Sequence, residues 1–197
     1  MTSIREELVS AAIHRAYALT DYNIQYTLKK QHEFRQQTVL ADKSLTKDEK
    51  SFAVKRLNKD FDGYKIIFNK GKKRICENCQ DECLATLYCE HCIRNYLKAK
   101  FSNWTSGNND IDNLIKKCQL ETFMPNKVVE WIPYNNLQNI KYLTKGGYSE
   151  IYTADWIDGK YYKWDNQEQL KRTGMYKVIL KKLENVESAN RSWFDEV

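Results

Sequence analysis

Proline and glycine are scarce in the first part of this chain, where residues 1–70 contain no proline and one glycine. Because these two residue types most often interrupt helices, their scarcity favours helical structure. Long apolar runs are also missing, since no stretch approaches the roughly 18 residues of a membrane span. The polar start MTSIREELVS lacks the basic and then apolar pattern of a secretory signal. We therefore expect an intracellular, cytoplasmic protein with no membrane partner.

The positive charge of the chain is confined to its N-terminal part. Residues 1–75 hold 16 Lys and Arg against 9 Asp and Glu, whereas the remainder holds 16 against 17. A modest excess of this kind is more typical of a solvated helical surface than of a nucleic-acid interface. The composition therefore argues against a nucleic-acid partner.

Two amphipathic patterns predict helices in residues 1–70. Apolar residues recur at three- and four-residue steps over 4–28 and predict a long first helix. Thr46 and Glu49 then form a capping-box pattern at the start of a second helix, along which an apolar seam extends over 54–68. We expect an antiparallel helical hairpin, with the seam closed either on the first helix or on another molecule.

Five of the six cysteines lie close together, and four of them form two C-x2-C pairs: Cys76 with Cys79, and Cys89 with Cys92. Two such pairs can present four thiolates to a tetrahedral zinc ion at about 2.3 Å. Structural disulfides fit a reducing compartment poorly, and a redox role fits a single pair better than two. The spacing therefore predicts a closed structural zinc site.

The remaining candidate ligands are assigned differently. Cys83 and Cys118 are expected to be buried apolar thiols, and His91 is an alternative ligand in place of Cys89 or Cys92. A structural zinc ion would fold a segment too small to fold alone. We therefore predict a zinc-knuckle segment with short helices over residues 71–124.

Two prolines bracket an extended stretch after this segment, which predicts a linker over residues 125–138 and a last domain over 139–197. Gly146 and Gly147 lie between two strand patterns, where a turn without bulky side chains would let backbone amides approach a triphosphate. The kinase glycine-loop pattern G-x-G-x-x-G-x-V can be laid on this turn. It places Thr144, Gly146, Ser149 and Ile151 at the three glycines and the valine.

A polar loop over residues 157–174 is expected to lead to a third strand, Met175 to Leu183. Strand alternation places Ile179 and Lys181 on one face of it and Leu180 and Lys182 on the other. This makes Lys181 the candidate phosphate lysine. Glu196 follows fifteen positions later in a predicted helix, within reach of an ion pair with that lysine. A generic antiparallel meander followed by a helix is the alternative.

The chain resembles members of a fungal, lineage-expanded family of protein kinases that carry an N-terminal helical segment, a four-cysteine knuckle pair and a tyrosine-kinase-like or Ser/Thr-type catalytic domain. The matching stretches are ICENCQDECLATLYCEHC, FSNWTSGNNDIDNLI, VVEWIPYNNLQNIKYLTKGGYSEIYTADWIDG and VILKKL. The resemblance implies ATP with Mg²⁺ as ligand and phosphorylation of protein hydroxyls. It also implies an ATP site formed by Gly146, Gly147, Tyr148, Ser149, Ile151, Ile179 and Lys181, with Glu196 as the partner of Lys181.

Phosphoryl transfer also requires an aspartate that orients the hydroxyl and residues that hold magnesium, normally within H-R-D-x-x-x-x-N and D-F-G segments. Neither motif occurs, and Phe61-Asp62-Gly63 precedes the glycine turn. We therefore expect a piece of a kinase, real or from a gene model, that lacks activity alone. The alternative is a non-catalytic, zinc-stabilised interaction module with a vestigial lobe.

The expected fold class is α+β. The chain should begin with the helical hairpin, continue through the zinc-knuckle segment, and end in an incomplete antiparallel sheet plus a helix that resemble the small lobe of a kinase. The sequence does not specify a protein substrate or partner.

Overall fold

The computed structural model describes residues 4–146, 149–165 and 169–183. Within these residues, the α-helices are α1 Glu6–Ala18, α2 Leu28–Ala41, α3 Lys47–Ile67, α4 Glu90–Lys98 and α5 Asn109–Glu121. The strands are β1 Arg74–Ile75, β2 Glu82–Cys83, β3 Leu137–Gly146, β4 Ser149–Trp156, β5 Tyr161–Trp164, β6 Leu170–Arg172 and β7 Tyr176–Leu183. All strand pairs are antiparallel. The mixed architecture confirms the α+β class.

The chain divides into two compact units. The first comprises Met1–Ala99 and Leu120–Met124, and the second comprises Lys100–Gln119 and Pro125–Val197. The first unit contains α1 to α4 and the small β1–β2 hairpin, whereas the second contains the larger sheets. Over the part of the chain that the structure describes, none of the helices combines the length and the apolar character that crossing a bilayer requires.

The predicted helical hairpin over residues 1–70 is wrong, because the expected long first helix is two helices. Residues 19–27 separate α1 from α2. In this connection the carboxylate of Asp21 accepts a hydrogen bond from the Asn23 amide at 2.8 Å. Thr27 then caps α2 by accepting from the amide three residues later at 3.2 Å. Short polar side chains that bind nearby amides compete with helical hydrogen bonds, which explains the break.

The first three helices share one apolar core. Its buried members are Val9, Ala12, Ile13, Ala16, Val39, Leu45, Ala53 and Leu57. Each large aliphatic side chain buried in this way contributes about 1.5–3 kcal/mol, and the alanines allow the helices to approach closely. The seam of α3 therefore closes on α1 and α2 within one three-helix bundle at Leu57, whereas its last member, Phe68, is 54% exposed.

The predicted capping box at the start of α3 is confirmed. Thr46 accepts from the Glu49 amide at 3.3 Å, and the Glu49 carboxylate accepts from the Thr46 amide at 2.8 Å. The same carboxylate also accepts from the Arg5 side chain at 2.7 Å. Glu49 therefore connects the start of α3 to the residue that precedes α1.

This arrangement makes the stability of the bundle sensitive to acid. The Arg5 guanidinium, followed by the Thr46 amide, holds the pKa of Glu49 well below its ordinary value. A carboxylate with a lowered folded-state pKa stabilises the fold above its unfolded pKa of about 4.3 and loses that contribution as the pH falls further.

We expect Glu49→Gln to unfold at lower urea concentration than wild type at neutral pH. It should then lose less additional stability between about pH 5 and pH 2, where Glu49 becomes protonated in the unfolded wild-type chain but stays ionised in the folded one. Urea unfolding across this pH range measures both effects. Arg5→Leu should also flatten the pH dependence, and a Glu49→Gln profile parallel to that of wild type would contradict the assignment.

The second unit contains a three-stranded sheet with the order β3–β4–β7 and a separate β5–β6 hairpin. The predicted polar loop over residues 157–174 is therefore wrong. Tyr161 and Leu170 are buried in this hairpin, and the guanidinium of Arg172 lies 3.9 Å from the Tyr161 ring centroid and pairs with the carboxylate of Glu130. Aromatic stacking and a charge-assisted pair stabilise strands too short to be recognised from periodicity.

Candidate functional site

The four cysteines predicted as zinc ligands lie together at one point of the first unit. The Sγ atoms of Cys76, Cys79, Cys89 and Cys92 all lie within 4.8 Å of one another. The Cys76–Cys92 and Cys79–Cys89 sulfur distances are both 3.6 Å. A tetrahedral zinc ion with bonds of about 2.3 Å separates its sulfur ligands by about 3.8 Å, whereas a disulfide requires about 2.05 Å. The cluster therefore fits a metal ion and contains no disulfide.

The first cysteine pair lies in a turn between two strands, and the second lies at the start of a helix. The first pair lies between β1 and β2, where the Cys76 amide donates to the Asp81 carbonyl at 2.9 Å and the Gln80 amide donates to the Cys76 carbonyl at 3.0 Å. In the second pair, Cys89 is the N-cap of α4 and Cys92 lies in its first turn. The unpaired amides of a helix N-terminus favour negative charge, so this position suits thiolate ligands.

Without a cation, the cluster resists full ionisation. Burial opposes ionisation of Cys76, but hydrogen bonds from the amides of Cys79 and Asn78, together with those from the neighbouring cysteine thiols, lower the pKa of Cys76 to about 7. Burial raises the pKa of Cys79 to about 11 and also raises the pKa values of Cys89 and Cys92. Four adjacent thiolates therefore need a compensating charge, which a divalent metal ion supplies.

The loop over residues 84–88, which leads into the second pair, is held by two charged side chains. The Arg74 guanidinium donates to the carbonyls of Ala85 at 2.8 Å and Tyr88 at 2.6 Å. The buried carboxylate of Glu90 accepts from the Leu84 amide at 2.8 Å. Groups that orient metal ligands in this way affect metal affinity without touching the ion.

A third charged group reaches the same loop from α3. Asp62 is fully buried, and its carboxylate accepts from the Thr86 hydroxyl at 2.9 Å and the Leu87 amide at 2.9 Å. The Lys65 ammonium is paired with it at 2.7 Å. Asp62 therefore fixes the residues immediately before Cys89 to the helical bundle.

The sequence reading missed Asp62, because it treated Phe61-Asp62-Gly63 only as a misplaced kinase tripeptide. The sequence offers only a weak signal, since Asp62 follows Phe61 within the helix that carries the apolar seam, and its complete burial, which requires a partner, is seen only in the structure. The structure places the tripeptide inside α3, with Asp62 in a structural role.

The other candidate ligands lie outside the four-cysteine cluster. Cys83 is fully buried, and its sulfur lies within 4.8 Å of the Cys89 sulfur and a Glu90 carboxylate oxygen. Cys118 is half-buried on α5. His91 belongs to neither of the potential metal-binding groups found among the described residues. These placements leave two thiolates from each C-x2-C pair as the ligand set.

In the second unit, the residues predicted to contact ATP share one face of the β3–β4–β7 sheet. Between β3 and β4, Gly146 is paired with Ser149. Between β4 and β7, Ile151 is paired with Lys181 and Thr153 with Ile179. Because alternate residues of a strand point to the same side, Ser149, Ile151, Ile179 and Lys181 lie on a common face beside the turn. Gly147, Tyr148 and Glu196 lie outside the described residues.

The neighbouring lysine lies on the opposite face of the sheet. Lys182 is paired with Glu150 in the register, and its ammonium lies 3.2 Å from the Glu150 carboxylate. The placement agrees with the strand alternation expected from the sequence and separates Lys181 from Lys182. The two lysines therefore form a natural pair for a comparison of variants.

Comparison with protein-family models, with curated proteins and with solved structures finds no match to this chain. The interpretation of its function therefore depends on the geometry of its own residues. Two features carry chemistry: the four-cysteine cluster and the sheet face that presents Lys181.

Proposed function

We propose that residues 137–183 form the ATP-binding sheet of a protein kinase small lobe. The observation that carries this proposal is the common face of Ser149, Ile151, Ile179 and Lys181 beside the glycine turn. In kinases, a β-hairpin with a glycine-containing turn, followed by an antiparallel strand that carries a lysine on the same face, binds the phosphates of the nucleotide.

Each residue of this face has a distinct task in the proposed site. The glycine turn lets backbone amides approach the phosphates. Ile151 and Ile179 provide apolar surface for the adenine ring, and the Lys181 ammonium neutralises charge on the α- and β-phosphates. Mg²⁺, when bound with ATP, neutralises further phosphate charge. Because Ile179 is larger than the alanine of the kinase pattern, it narrows the adenine pocket and weakens nucleotide affinity.

These residues can bind a nucleotide but cannot transfer its phosphoryl group by themselves. Transfer requires an aspartate that orients the acceptor hydroxyl and side chains that hold magnesium. The sequence after the glycine turn contains neither an H-R-D nor a D-F-G segment. We therefore expect the 197-residue chain to bind ATP without phosphorylating protein.

Substitution of Lys181 tests the proposal, with Lys182 as the matched control. Lys181→Met should weaken ATP binding about tenfold or more, because a hydrogen bond to a charged group contributes about 1.5–3 kcal/mol. Lys182→Met removes the same charge from the opposite face and should leave ATP affinity within about twofold. Isothermal titration calorimetry or NMR titration with Mg²⁺–ATP measures both. Equal effects of the two variants, or no ATP binding by wild type at millimolar nucleotide, would overturn the proposal.

A second candidate function is that of a non-catalytic interaction module stabilised by structural zinc, and the four-cysteine cluster is the observation that favours it. The segment around the cluster contains two-residue strands and one short helix, which is too little structure to fold without a metal ion. Metal analysis of the purified chain tests this candidate. One zinc ion per chain is expected, and a metal-free folded chain would contradict it.

A further inference from the structure

A groove in the first unit lies between the start of α2 and the end of α3. Its volume is about 430 Å³, which is within the usual range for a binding cleft. The lining residues are Tyr26, Thr27, Leu28, Lys29, Gln31, Phe61, Lys65, Phe68, Lys70 and Gly71. Three aromatic rings and one leucine therefore form an apolar floor. These side chains belong neither to the four-cysteine cluster nor to the sheet face of Lys181.

The charged groups of this groove have one sign. Three lysines and no acidic residue line it. Lys65 is paired with Asp62 at 2.7 Å and Lys29 with Glu33 at 3.8 Å, whereas Lys70 forms no ion pair with a described residue. The Lys30 ammonium lies over the Tyr26 ring, 4.1 Å from its centroid, and adds a further cation at the rim. The groove is thus complementary to an anionic group.

Large apolar side chains are exposed at the groove and next to it in the chain. Tyr26 is 68% exposed and Phe68 is 54% exposed. Their neighbours Ile24 and Ile67 are also more than half exposed. A peptide lying across the groove can cover the exposed parts of Tyr26 and Phe68, which a small ligand enclosed by the groove would leave in water. Large apolar side chains exposed at a groove are typical of interaction sites.

We infer that this groove binds an acidic peptide segment of a partner protein. One aromatic or long aliphatic side chain of the peptide inserts between Tyr26, Phe61 and Phe68. Carboxylates beside that anchor pair with Lys70 and Lys30 at the rim. The inference concerns the first unit only and does not depend on nucleotide binding by the second.

Selection from a displayed library of short random peptides tests the inference. Wild-type chain is the bait, and the double variant Tyr26→Ser/Phe68→Ser is used for counter-selection. The enriched peptides should combine acidic residues with a single aromatic or leucine anchor. A representative peptide should bind the double variant at least about tenfold more weakly by fluorescence polarisation, because buried aromatic anchors dominate such interfaces.

Charge and surface controls complete the experiment. Lys70→Glu should weaken binding, whereas Lys55→Glu on the exposed side of α3 and Tyr134→Ser in the second unit should not. Tyr26 and Phe68, the two positions of the double variant, are exposed. Circular dichroism and zinc content equal to those of wild type would verify that the double variant folds. The inference would be overturned if the selection enriched basic peptides or no peptides at all. It would also be overturned if the peptide bound the double variant as tightly as wild type, or if single-stranded RNA competed more effectively than the peptide.

Discussion

Cys92→Ser is expected to abolish tight zinc binding and to unfold the segment around the cysteine cluster. Serine has nearly the shape of cysteine, but its hydroxyl stays protonated and cannot replace the thiolate ligand. A ligand bound only to the folded state stabilises it by about 4 kcal/mol when its free concentration is a thousand times its dissociation constant. The loss on substitution should therefore be several kcal/mol. Metal analysis and thermal unfolding measure the two effects.

Cys118→Ser is the matched control, because Cys118 lies outside the cluster. This variant should retain one zinc ion per chain and a melting temperature close to that of wild type. A chelator should lower the melting temperature of wild type and of Cys118→Ser while leaving that of Cys92→Ser nearly unchanged. Retention of zinc by Cys92→Ser, or insensitivity of wild type to the chelator, would contradict the four-thiolate site.

Asp62→Ala is expected to destabilise the first unit by about 3–5 kcal/mol. The substitution leaves the Lys65 ammonium buried without its partner and leaves the Leu87 amide without an acceptor, and breaking a buried pair has a cost of this size. It also releases the loop before Cys89, so zinc affinity should fall about tenfold to a hundredfold, as for other groups that orient ligands. Urea unfolding and competition with a zinc-binding dye measure the two quantities.

Asp60→Ala, two residues earlier on α3, is the control for this prediction. Asp60 accepts one hydrogen bond, from the Tyr17 hydroxyl at 3.2 Å, so its loss should cost about 1 kcal/mol and leave zinc affinity unchanged. Asp62→Asn should give an intermediate result because it keeps an acceptor but removes the charge. If Asp62→Ala resembled Asp60→Ala in both measurements, Asp62 would have no role in positioning the cysteine loop.

The cysteine cluster and the capping box could be predicted from the sequence because both depend on short, local spacing. Two C-x2-C pairs specify four sulfur ligands whatever surrounds them. The pattern of Thr46 and Glu49 likewise satisfies the first amides of α3 with its own side chains. The division of strand β7 into two faces was also predictable, because alternation is a property of any strand.

Features that depend on contacts distant in sequence could not be predicted from periodicity. The β5–β6 hairpin has strands of four and three residues, and the Glu130–Arg172 pair that supports it spans 42 positions. Gly159 shows the same dependence, since a Cβ at this position would lie 1.9 Å from the carbonyl oxygen of Gly174, fifteen residues later. The break between α1 and α2 is a different case, because Asp21 and Thr27 are local signals for a helix boundary while the apolar stripe over residues 4–28 continues across it.

Covalent labelling with an acyl-phosphate derivative of ATP tests the central claim, that the face of Lys181 binds nucleotide phosphates, most directly. Such a reagent transfers its acyl group to a lysine amine held beside the phosphates, and mass spectrometry locates the modified residue. The account predicts labelling of Lys181 that excess ATP suppresses, with little labelling of Lys182. Labelling of Lys182 in preference to Lys181, or labelling spread over surface lysines and unaffected by ATP, would contradict it.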